Sequence, residues 1–103
     1  MIYTNTRTFP KEEMFGLTSQ MRRSAVSVSS NIAEGFSRRH YSEKIQFYAI
    51  AQGSCAELQN QLLISRDVGF LPREEFIRVA NQSVHAHKLL SGLIKKSRTF
   101  LTS

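Results

Sequence analysis

Two short breaks divide this sequence, and the stretches between them constrain the fold more than any other feature. GFSRRHY (residues 35–41) and GFLP (69–72) separate three segments in which apolar residues recur every three or four positions. That period marks one face of a helix. Met14, Leu17, Met21, Ala25, Val28 and Ile32 make the first face. Ile45, Tyr48, Ala51, Cys55, Leu58 and Leu62 make the second, widened by Phe47 and Ile50. Phe76, Val79, Ala80, Ala86, Leu90, Leu93 and Ile94 make the third. The spacing predicts helices over about 17–36, 42–68 and 72–98. Links this short force antiparallel neighbours, so the expected fold is an all-α, up-down bundle in a single domain, 1–103. Two Pro and five Gly are too few for a turn-rich β chain.

The punctuation predicts where each helix starts and stops. FPKEEMFG reads as a turn, opened by Pro10 and interrupted by Gly16. Gly35 stands where a left-handed C-terminal cap belongs. Ser42 is a good N-cap, with Glu43 behind it in the first turn. Gly69 is the natural stop of the second helix. Pro72 opens the third, with Glu74 and Glu75 complementing its N-terminus and Lys95, Lys96 and Arg98 its C-terminus.

The chain carries a net charge of +6, unevenly spread. Residues 1–39 hold six Lys/Arg against three acids, 40–70 two against three, and 71–103 six against two. Such a balance suits a polyanionic partner, although an ordinary soluble basic surface also explains it. A single cysteine, Cys55, allows no internal disulfide and fits a reducing compartment. No apolar run approaches a membrane span, and MIYTNTRTFP has no hydrophobic signal core, so the expected location is the cytoplasm, away from membranes.

Catalytic chemistry finds little purchase. An enzyme would have to use Ser30, Asn31, Glu34 and His40, yet the sequence offers no nucleophile elbow and pairs no base with a nucleophile. His85 and His87 are two apart, which puts them on opposite sides of a helix, so they cannot chelate one metal. Cys55 falls on an apolar stripe and reads as an inert core thiol. No metal or cofactor is expected. A helix-turn-helix reader of DNA needs shorter helices than the first two segments.

FPKEEMFGLTSQMRRSAVSVSSNIAEGFSRR, followed by FYAIAQGSCAELQNQL, resembles the bacterial four-helix-bundle family encoded by intervening sequences in 23S rRNA genes. Relatives of that family include the accessory variability proteins of diversity-generating retroelements. The likeness runs from about Phe9 to Leu71 and rests on the combination of FPxxExFGLxxQxRR, NIAEG and AxGSxxEL. It implies a bundle with a further helix upstream. Most of that first helix is expected to be missing here, with Met1 to Thr6 supplying its tail. An open apolar groove would follow, which another subunit could fill. The resemblance also implies a small homo-oligomer, with pentameric rings known among relatives. It suggests that Asn31, Glu34 and Ser54 form a structural polar network rather than a catalytic one, and it places Arg22 and Arg23 in the QxRR motif without naming their partner.

Within the first segment, Ser24, Ala25, Ser27 and Ser30 are small enough to pack closely on Gly53, Ser54 and Ala56 of the second. Tight helix packing would offset the cost of an internal glycine, about 1 kcal/mol relative to alanine. The basic residues are the sharper clue. In an up-down arrangement the end of the first helix, the start of the second and the end of the third share one pole. Arg38, Arg39, Lys44, Lys95, Lys96 and Arg98 should gather there, and such a field can hold phosphate backbones without reading bases. Arg22 and Arg23 lie mid-helix and are expected to join the nucleic-acid-binding set, one of the pair pointing toward a subunit interface or a basic channel. The leading expectation is an oligomeric, non-catalytic protein that associates with rRNA or another nucleic acid through that pole. The alternative is a scaffold that needs a partner protein, such as an accessory subunit of a reverse transcriptase.

Overall fold

The computed structural model describes residues 11–69 and 71–101. Among these run three helices and no strand: α1 (Lys11–Ser37), α2 (Tyr41–Val68) and α3 (Arg73–Leu101). They form a rod of 57 × 21 × 20 Å. α2 is the middle helix. α1 and α3 each pack along it and touch one another little, so the side of the rod between them stays open.

The three apolar faces meet as their spacing requires. Val28 from α1, Tyr48, Ala51 and Cys55 from α2, and Leu90 and Ile94 from α3 form one buried cluster. Ile32, Ile45, Ala86 and Leu93 are packed against it and partly buried. Cys55 is fully buried and donates its thiol hydrogen to the Ser83 carbonyl at 3.1 Å. Burial pushes that thiol's pKa up, in keeping with an unreactive core residue. Two expected core positions are exposed. Ile50 lies two residues from Tyr48, roughly 200° around α2, and so faces away from both neighbours. Ala25 faces the open side between α1 and α3.

The helix ends correct several expectations. α1 is already helical at Lys11 and runs straight through Gly16, so Lys11-Glu12-Glu13 is a first turn and not a loop. A glycine inside a helix weakens it by about 1 kcal/mol but does not end it. Gly35 is not a cap. α1 continues to Ser37, and Gly35 is buried against Tyr48, where an added Cβ would lie 2.8 Å from the ring's Cδ1. The N-cap of α2 is His40, at φ −96° and ψ 136°, and Ser42 already lies inside the first turn. His40's carbonyl accepts from the N–H groups of Glu43 and Lys44, but its side chain makes no capping bond. Gly69 does cap α2 in the left-handed conformation (φ 78°), its N–H shared between the Ser65 and Arg66 carbonyls. Pro72 precedes α3 rather than opening it, and its carbonyl accepts from Phe76 N–H. α3 extends through Phe100 and Leu101. Expectations for Met1 to Thr6, Pro10, the Met14 side chain and Phe70 fall outside the described residues.

Candidate nucleic-acid interface

The pole is built by three helix ends. Tyr41, the first residue of α2, stacks on Phe100, near the end of α3, with ring centroids 4.7 Å apart and planes 19° apart. That stacking fixes the end of α3 beside the start of α2, and the tight turn at 38–40 brings the end of α1 to the same place. Lys95 and Arg98 share a shallow cleft with Ile45, Ala49 and Gln52 of α2. Lys96 is on the next face of α3, about 100° round. Six cations thus collect at this end (Arg38, Arg39, Lys44, Lys95, Lys96, Arg98), while the acids of the same segments are Glu34 and Glu43, for a local charge of +4. The opposite end is different. There Arg66 is 3.2 Å from Asp67 and Arg78 is 2.8 Å from Glu75, so cation and acid alternate.

The six cations are not equivalent. Lys44 donates to the Gly35 and Phe36 carbonyls, each at 3.0 Å, and so closes the open carbonyl end of α1. Arg38 reaches Glu34 at 2.8 Å, one turn back, and lays its guanidinium 4.7 Å over the Phe47 ring. Its Nε is buried without a hydrogen-bond partner among the described residues. Both side chains therefore hold the turn together. Arg39, Lys95, Lys96 and Arg98 are exposed and better placed to meet a ligand. Arg22 and Arg23 are exposed too, but about 22 Å further down α1. Arg23 borders a separate polar groove with Gln20, Ser24, Ser27, Ser54, Glu57 and Gln61.

That groove contains the polar network, with one change of membership. Ser27 and Ser54 hydroxyls are 2.6 Å apart, and Asn31 donates to the Ser27 carbonyl at 2.8 Å and hydroxyl at 3.1 Å. Ser24, buried, donates to Gln61 at 3.1 Å. Glu34 is outside the network, because its carboxylate turns to Arg38 at the surface. Of the small residues, Ser24, Ser27 and Ser54 join α1 to α2. Ser30, Gly53 and Ala56 are exposed, and nothing lies within 4 Å of a Cβ placed on Gly53. Close approach is thus not what places a glycine there.

Aromatic rings at the pole are the feature that charge alone passes over. Phe36 is 58% exposed and meets the buried Tyr48 ring at 75°, centroids 6.0 Å apart. Tyr41 and Phe100 are 37% and 45% exposed. The sequence signal was available, since each of these rings sits within two or three residues of an arginine: Phe36-Ser37-Arg38-Arg39-His40-Tyr41 and Arg98-Thr99-Phe100. Among the described residues no three His, Cys, Asp or Glu side chains are grouped to hold a metal ion, and no helix is long and apolar enough to cross a membrane.

A family model described as 23S rRNA-intervening sequence protein matches residues 1–92. Among solved structures the chain is similar to the crystal structure of a protein of unknown function, from the S23 ribosomal protein family, of Bacteroides thetaiotaomicron. The TM-score is 0.77 at 26% identity, covering 82% of this chain and 79% of that one. No curated protein matches the sequence.

Proposed function

This chain belongs to the 23S rRNA-intervening sequence protein family, and on that premise we propose that it works by binding, not catalysis, associating with RNA through the basic pole as a cytoplasmic homo-oligomer. The local +4 charge carries the proposal, because Arg39, Lys95, Lys96 and Arg98 are exposed at one end while the far end balances its cations with acids. Helix-end charge complementing accounts for Lys44, which bonds the carbonyls directly. It accounts less well for Arg39, which follows the end of α1 and makes no such bond among those described.

The test compares Arg39→Ala/Arg98→Ala with a far-end control, Arg73→Ala/Arg78→Ala, in RNA binding across a salt series. Removing a side chain that neutralises one phosphate lowers the slope of log affinity against log salt by about 0.7 to 0.9. The slope of the pole variant should be shallower by roughly 1.4 to 1.8, and the control should match wild type. Equal effects from the two pairs would show non-specific attraction to a basic protein and sink the pole.

The homo-oligomer has its own support. Away from the pole, several large apolar side chains are exposed among the described residues, including Val26, Ile50, Ile64, Val84 and Leu89. The open side between α1 and α3 is a groove bordered by Ala25, Val28, Val79 and Ala86. An apolar groove left open along the bundle is a surface that a partner can cover, and a second copy is the occupant we propose. A monomer that binds RNA only with another protein present would favour the scaffold reading instead.

A further inference from the structure

Resting on the RNA reading above, we infer that the pole takes unpaired nucleotides rather than duplex, its exposed Phe36, Tyr41 and Phe100 rings stacking bases while Arg39 and Arg98 hold the flanking phosphates. The observation is the pairing of two chemistries at one end of the rod. Phe36 leaves more than half of its surface open, and Tyr41 and Phe100 leave about two-fifths of theirs. Phe36 meets the buried Tyr48 ring edge to face. Tyr41 and Phe100 stack on one another at the same end. The pole thus carries one exposed ring backed by Tyr48 and one exposed stacked pair. Arg38, Arg39 and His40 stand on one side in the chain and Arg98 on the other.

A surface built only for phosphates needs no rings, since a duplex keeps its base faces stacked on each other and offers side chains its backbone and groove edges. Single strands offer π-faces next to phosphates, and proteins that hold them interleave aromatic side chains with cations. A platform with this tolerance would discriminate by strandedness, not by sequence.

The experiment uses a 15-nucleotide RNA of mixed sequence, alone and annealed to its complement, each across the same salt series. Wild type, Phe36→Leu/Tyr41→Leu and Arg39→Ala/Arg98→Ala are compared, and oligomer mass is recorded on every sample. Leucine at 36 keeps apolar cover over Tyr48, and both changes remove a ring. The expected result is tighter binding of the single strand by wild type. The aromatic variant should lose about 5- to 150-fold of that affinity, the worth of one stacked base, with the salt slope and mass of wild type. Equal affinity for both probes, or an aromatic variant that binds the single strand as wild type does, overturns the inference while leaving the basic pole standing. A variant of lower mass also overturns it, because the rings are then subunit contacts. Absence of binding to either probe removes the RNA reading and this inference with it.

Discussion

Gly35 and Gly53 look alike in sequence, each a glycine near or in a helix, and the structure gives them opposite roles. A methyl group at Gly35 collides with the buried Tyr48 ring, whereas one at Gly53 meets nothing. Gly35→Ala should therefore destabilise by about 1–3 kcal/mol, as overpacking does. Gly53→Ala should stabilise by about 0.5–1 kcal/mol through helix propensity. Urea denaturation of both variants measures the pair, and equal signs would refute the account of Gly35. The distinction was not legible in the sequence, because it depends on a ring thirteen residues away in chain order and across a turn. Cys55 was legible, since its stripe position alone predicts a buried thiol. Its raised pKa, due to burial, has a consequence for stability. Folding favours the protonated thiol, so that contribution is intact below the ordinary thiol pKa and is lost as pH rises through and above it. Tyr48, raised by burial and then by Tyr41, acts in the same direction at higher pH. Thermal melting points should hold through neutral pH and fall in the alkaline range, with the earlier part of the fall missing from Cys55→Ala.

At the scale of elements, the three helices were readable because apolar residues recur every three or four positions along each of them. Their ends were less so. Gly69 announced itself, as its left-handed φ is the conformation that only glycine adopts cheaply. Ser42 misled, because cap preference says which residue suits a cap and not where the backbone leaves the turn. That choice was made by the 38–40 turn, closed by Lys44 reaching back to two carbonyls of α1. Lys44→Met keeps the stem and removes the charge. It should cost about 1 kcal/mol of stability and lower the helix content at the end of α1, read by amide hydrogen exchange at 34–38. Unchanged exchange there would mean that the turn closes without Lys44. The Asn31–Ser27–Ser54 chain was half legible. The small polar residues were visible, but Glu34 was assigned to them on the resemblance, although helical spacing itself offers it Arg38, four residues on.

The whole molecule is a rod of three helices with α2 packed against both others and one side open. Its pole follows from topology alone, which is why the charge cluster could be read from the sequence; the rings stand beside the same arginines in the chain, but their stacking and exposure needed the structure. The open groove belongs to the same scale. Ala25 is exposed at its edge, so Ala25→Glu should leave the protomer folded and reduce the oligomer mass. Unchanged mass would move the subunit interface to another face. The central claim is that four exposed cations at one end meet an RNA backbone. Its most direct test is the salt dependence of RNA binding by the wild-type oligomer, with mass measured in the same samples. The account predicts an affinity that falls steeply and linearly on a log–log plot, with a slope that shrinks when Arg39 and Arg98 are replaced. An intact oligomer that binds no RNA at low salt would contradict it.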